Sequence, residues 1–224
     1  SKGIIAPDAV NTPEVFIAAM LAALVSSALW IHLATWLKAP VSTTHSIVGG
    51  VMGAGIAAAG LSAVQWSTMG SIALSWVISP LLGGVIAAAF LAFIKTAIIY
   101  RQDKISAAVR WVPVLIAVMT GSFTTYLVIK GLKSRIDLSF SVALLIGLIA
   151  AVLSWIISRP LVRRQAEGLE NRNQSLRKLF GIPLVFSAAL LSFAHGANDV
   201  ANAVGPLAAI VHTAELGEVA AKVS

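Results

Sequence analysis

Six stretches of the chain are apolar over about the 20 residues that an α-helix needs to cross a hydrocarbon core of roughly 30 Å. They run from 15 to 37, 42 to 62, 71 to 94, 111 to 130, 138 to 158 and 184 to 212. The fold class they predict is an all-α polytopic membrane protein. The first two are joined only by Lys38-Ala39-Pro40-Val41, so they form a helical hairpin, and four further transmembrane segments follow. The last stretch is too long for a simple span and holds polar residues and Gly205-Pro206, so it is expected to bend or break. Pro80, close to Gly83 and Gly84, predicts a kink near the carbonyl of Trp76. Trp36, Trp66, Trp111 and Trp155 fall near predicted span ends and read as interface anchors.

Composition agrees with a lipid-facing surface. Of 224 residues, 58% are hydrophobic and 11% charged, whereas a soluble domain carries about 25% charged residues. The mean hydropathy is +0.90. No cysteine is present, which excludes disulfide frameworks and thiolate metal sites.

The net charge of +7 is informative through its position. One loop carries Lys95, Arg101, Lys104 and Arg110, and a second carries Arg159, Arg163, Arg164, Arg172, Arg177 and Lys178. The loop between them has only Lys130, Lys133 and Arg135 at or near it. Ten against three puts the first two loops in the cytoplasm of a multi-pass cell-membrane protein. They read as solvated loops, with no nucleic acid as partner. The uncharged link from 63 to 70 is then outside, and the hairpin starts and ends on the outer side. Length alone leaves open whether its tip spans or stops in mid-membrane, where Lys38 would need water or a partner. The basic stretch 159 to 183 reads as a linker between residues 1 to 158 and residues 184 to 224. A first residue other than Met and an end soon after an apolar segment suggest a fragment of a longer protein.

Polar side chains inside apolar spans are costly and therefore mark candidate sites. The first cluster is Pro40-Val41-Ser42-Thr43-Thr44-His45-Ser46. Proline ahead of Ser and Thr signals a helix start, so the helix begins at the hydroxyls. Free N–H groups of its first turn and the helix dipole suit an oxyanion. The hydroxyls of Ser42, Thr43, Thr44 and Ser46 add donors without fixed charge. An ordinary cap whose spare hydroxyls bond to backbone is the alternative, and His45 either caps or bonds a ligand. Gly49, Gly50, Gly53 and Gly55 make this helix narrow, and the Gly49–Gly53 spacing predicts close helix packing.

The second cluster runs from Ser192 to Pro206. Ser192, His195, Asp199 and Asn202 are spaced by 3, 4 and 3, which puts them on one helix face, with Asn198 to the side. Asp199 is the one acidic residue inside the six segments, and no Lys or Arg lies in its span. A hard cation held by Asp199 with oxygens of Asn198 and Asn202 would resolve that charge. Pro206 has no N–H for the carbonyl of Asn202, which becomes a further oxygen ligand. Interhelical hydrogen bonding, with Asp199 protonated or paired to His195, is the alternative.

Gly196-Ala197-Asn198-Asp199-Val200-Ala201-Asn202-Ala203 resembles the GANDVANA signature of the PiT-type inorganic phosphate transporters, and Pro40 to Ser46 resembles their PVSTTHS hairpin motif. The resemblance covers essentially the whole chain. Such carriers are built from two inverted repeats, each with a GAND-type motif and later an STTHS-type hairpin. This chain has one of each, hairpin first, which implies the hairpin part of the first repeat joined to the start of the second, with a broken GANDVANA helix. The resemblance further implies phosphate contacts from Ser42, Thr43, Thr44 and Ser46, and sodium contacts from Asn198, Asp199 and Asn202. It implies a homo-oligomeric secondary transporter of inorganic phosphate in the lipid bilayer, with sodium as coupling ion and no cofactor. Proton-coupled phosphate or sulfate transport is the alternative. An intramembrane phosphate-ester enzyme using His45, His195 and Asp199 lacks a second acid and a recognisable nucleophile.

Overall fold

The computed structural model describes all residues except 1, 2, 7, 8, 11, 133–138, 218 and 220–224. Six α-helices follow one another: α1 Pro13–Trp36, α2 Thr43–Ala59, α3 Trp66–Ile94, α4 Lys104–Leu127, α5 Phe140–Ala166 and α6 Asn173–Leu216. Single π-type turns extend α3 through Lys95–Ile99 and α4 through Val128–Leu132. Among the described residues the only β pairing is an isolated bridge between Ile5 and Val64. Five helices are long and apolar enough to cross a membrane: α1, α3, α4, α5 and α6. Helix α2, at 17 residues, is about 26 Å long, less than a hydrocarbon core of about 30 Å. Gly60, at φ +79°, ends it before the predicted limit of 62. Of the sparse loop expected outside, Lys133 and Arg135 lie outside the described residues.

The chain packs as two compact units, residues 1–82 with 194–224 and residues 83–193. In the first, α1 and α2 form the predicted hairpin. Pro13 opens α1, where its missing N–H costs nothing. At the tip, Lys38 takes the left-handed conformation (φ 55°). Its N–H bonds Thr35 O at 3.1 Å, and that of Ala39 bonds Ala34 O at 2.8 Å, the two bonds of a Schellman C-cap. Ile4, Phe16, Met20, Ala23, Val51 and Ala63 are buried together in this unit.

Of the predicted glycines the helix crossing uses Gly50 rather than the Gly49–Gly53 pair. Open space surrounds Gly49 and Gly53, whereas a Cβ on Gly50 would collide with Ser27 Oγ and lie 2.8 Å from Ala23 O. A Cβ on Gly55 would meet the Ile5 side chain at 2.6 Å. Gly50 therefore carries the close approach of α2 to α1, and Gly55 that of α2 to Ile5.

In the second unit α4 packs on α5 through facing small residues. A Cβ on Gly121 would lie 3.0 Å from Gly147 O, and one on Gly147 would lie 2.7 Å from Gly121 O. A separate core joins Ile98, Ala108, Val112, Val162, Leu176 and Leu179. Three of these, Val162, Leu176 and Leu179, belong to the basic stretch 159 to 183. Helix α5 runs through Pro160 to Ala166 and α6 starts at Asn173, so only residues 167–172 connect them. Val162, Leu176 and Leu179 bury themselves while the arginines stay outside, which turns the stretch into two helix ends.

Gly205-Pro206 lies inside helix α6. Helix α6 is continuous over 44 residues. Proline's fixed φ is helical, and the fully buried Pro206 side chain gains packing that offsets its one missing hydrogen bond. Pro80 also lies inside α3, but there it is exposed.

Candidate functional site

The site is built within the first unit, from the N-terminus of α2 and the middle of α6. Ser42 is the N-cap of α2 and its Oγ accepts from His45 N–H at 3.3 Å. The Ser46 hydroxyl donates to Ser42 O at 2.8 Å. The hydroxyl-rich stretch thus starts a helix as expected. The N–H groups of Thr43 and Thr44 precede the first possible intrahelical bond.

One helix turn of α6 meets these residues. Thr43 Oγ1 donates to Asp199 Oδ1 at 2.5 Å, across 156 residues of sequence. Asn202 Nδ2 donates to Thr44 Oγ1 at 2.9 Å, and Asn198 Nδ2 reaches the same oxygen at 3.5 Å. His195 Nε2 lies 3.4 Å from Asp199 Oδ2, one turn away on the predicted face. Among the described residues no Lys or Arg pairs with Asp199.

The direction of each bond decides which hydrogens remain. The protons of Thr43 and Ser46 are used, on Asp199 and on Ser42 O. The oxygens of Ser42 and Thr44 act as acceptors, so each keeps its own hydrogen for a guest. Two hydroxyls and the N–H groups of Thr43 and Thr44 are then available at the positive end of α2. On the other side Asn202 turns its amide nitrogen to Thr44, which leaves Oδ1 as a free acceptor on the helix face it shares with Asp199. The Asn202 carbonyl that Pro206 cannot serve belongs to a residue lining a cavity of about 90 Å³, with Ile4, Val51, Ala201, Gly205 and Pro206.

The sequence-predicted residues therefore converge: Thr43 and Thr44 touch Asn198, Asp199 and Asn202, while Ser42 and Ser46 bond within the α2 end. Two contributors were missed. Ser27, 6% exposed, donates to Ala23 O at 2.7 Å and Ser46 O at 2.9 Å, pinning the start of α2 onto α1. Trp76 packs on His45 with ring centroids 3.9 Å apart and ring planes tilted by 49°. A serine inside an apolar span was the available signal for the first. Nothing in the sequence singled out Trp76 as a partner of His45.

Comparison with known proteins identifies the family. The Phosphate transporter family matches residues 1–224. A Helicobacter pylori protein is 53% identical over 212 residues, 95% of this chain and 40% of its own length. A Pyrococcus abyssi protein is 36% identical over 222 residues, 99% of this chain and 54% of its own. Both bear the name "Putative phosphate permease". A solved structure, "The sodium-dependent phosphate transporter", superposes with a TM-score of 0.92 at 33% identity, covering 100% of this chain and 55% of that one. The chain spans about half or less of the length of these relatives. Matched from residue 1 to residue 224, it belongs to the Phosphate transporter family, a family of multi-pass membrane carriers and not of enzymes.

Proposed function

We propose that this chain supplies an anion half-site and a cation half-site to a carrier that moves inorganic phosphate across the membrane with sodium. The observation that carries this reading is the meeting of Thr43 and Thr44 with Asp199 and Asn202. Phosphate accepts hydrogen bonds from Ser42, Thr44 and the first N–H groups of α2. Ser46 and Thr43 shape that end through their bonds to Ser42 and Asp199. Sodium takes oxygens from Asp199, Asn202 and Asn198. A phosphate charge and a carboxylate about 5 Å apart repel by about 3 kcal/mol at an effective dielectric constant of 20. A cation between them removes that penalty, so each ion favours the other. The segment up to 158 belongs to a first repeat and that from 184 to a second, and the motion of one repeat against the other exposes the site alternately.

The test is uptake of labelled phosphate by the full-length carrier in liposomes, with and without an inward sodium gradient. Uptake that needs the gradient supports the reading, and saturable sulfate uptake at phosphate's expense overturns the substrate. A second reading, proton coupling, rests on the His195–Asp199 approach of 3.4 Å. Uptake driven by a pH gradient without sodium would favour it.

A further inference from the structure

We infer that the groove at the turn between α3 and α4 holds the headgroup of an anionic phospholipid. Tyr100, Arg101, Gln102, Asp103, Arg110 and Trp111 line this open groove of about 780 Å³. It lies where the apolar run of α3 ends at Lys95 and that of α4 has yet to begin, the level of a membrane's headgroups. Its charge is unbalanced. Among the described residues neither Arg101 nor Arg110 pairs with a carboxylate. The single acid of the groove, Asp103, is occupied in capping α4, where its Oδ1 accepts from Ser106 N–H at 3.0 Å.

The surroundings reinforce that sign. Asn171 accepts from Lys104 N–H at 2.9 Å and donates to Gln102 O at 2.6 Å, so residues 167–172 are tied to the groove's rim. The ten basic residues of the two loops share this end of the unit with three acids, Asp103, Glu167 and Glu170. Glu170 is paired with Arg172 at 2.9 Å.

The aromatic residues suit the same depth. Tyr100 is 70% exposed and the Arg110 guanidinium lies 5.7 Å from the Trp111 ring centroid. A cation held on an indole at the foot of an apolar helix offers the phosphodiester a hydrogen-bonding fork, while the acyl chains run along α3 and α4. Each arginine near an anionic surface contributes about 1 kcal/mol, so two correspond to roughly 30-fold in retention.

The experiment uses the full-length carrier purified in a mild detergent with phosphatidylglycerol and phosphatidylcholine in equal amounts. Native mass spectrometry counts the lipids retained. Preferential phosphatidylglycerol retention should fall roughly 30-fold in R101Q/R110Q and little in R163Q/R164Q, which removes the same charge elsewhere. Equal loss in both double variants, or equal retention of the two lipids by the unaltered protein, would overturn the assignment. Displacement of the lipid by inorganic phosphate would assign the groove to the free ion and also overturn it. Should R101Q/R110Q not fold, brominated lipids give a separate readout. The fluorescence lost in Trp111→Phe isolates this indole, and brominated phosphatidylglycerol should quench it more than brominated phosphatidylcholine. Equal quenching overturns the inference.

Discussion

The Thr43 hydroxyl faces Asp199, and that separates it from the other hydroxyls of its cluster. Thr43→Val keeps the shape and removes the hydrogen bond. A hydrogen bond to a charged group is worth about 1.5 to 3 kcal/mol. Asp199 keeps 34% of its side chain exposed, so water screens the bond and about 1 kcal/mol is the appropriate figure. Because the bond orients the carboxylate that receives sodium, the half-saturating sodium concentration should rise about 5-fold. At saturating sodium the half-saturating phosphate concentration should stay within about 2-fold, since the Thr43 N–H survives and Ser42 and Thr44 keep their free hydrogens. Thr43→Ser should restore the sodium response. The assay is initial phosphate uptake into liposomes over a matrix of both ion concentrations. A rise in the phosphate constant at saturating sodium, with the sodium constant unmoved, would show that Thr43 bonds the anion directly and would refute the reasoning.

Further outcomes follow from the same geometry. Asp199→Asn should lower sodium affinity more than Thr43→Val does, and unchanged sodium dependence of uptake would remove Asp199 from the cation site. Gly50→Ala should lower the thermal midpoint in detergent, with overpacking against Ser27 and Ala23 costing about 1 to 3 kcal/mol, whereas Gly53→Ala, with open space around it, should gain up to about 1 kcal/mol; equal effects would contradict the helix crossing. The Asp103 carboxyl is held below its ordinary value, first by its side-chain hydrogen bond with Ser106 and then by the Ser106 N–H. A lowered value means that the capping contribution is complete above the ordinary carboxylate range and is lost as pH falls through the folded-state value. The protection of the Ser106 amide relative to its intrinsic exchange rate should fall on acidification below that range, and should not do so in Asp103→Asn.

Much of this was readable from residue types. Hydroxyls behind a proline announced where α2 begins, and the 3-4-3 spacing put His195, Asp199 and Asn202 on one face, because those signals depend on local backbone geometry. Which side of a helix meets which neighbour was harder to read. In a helix apolar all round, hydrophobicity does not distinguish lipid from protein, so Gly49 and Gly53 looked as suitable for packing as Gly50. In the basic stretch the arginines dominate the composition while Val162, Leu176 and Leu179 carry the packing. At Pro206 the lost hydrogen bond is local and visible in the sequence, whereas the burial of its ring comes from the tertiary fold.

The 156 residues between Thr43 and Asp199 also order events in time. Chains are synthesised at about 5 to 20 residues per second, so α2 emerges about 8 to 30 s before the helix that completes its site. The α1–α2 hairpin closes through contacts within residues 13–59, by Gly50 against Ala23 and Ser27 against Ser46. It is a finished template on the ribosome's timescale while Asp199 is still unmade. The carboxylate then enters the bilayer with a hydroxyl already waiting for it, which shortens the interval in which a charge inside an apolar span has nothing to bond.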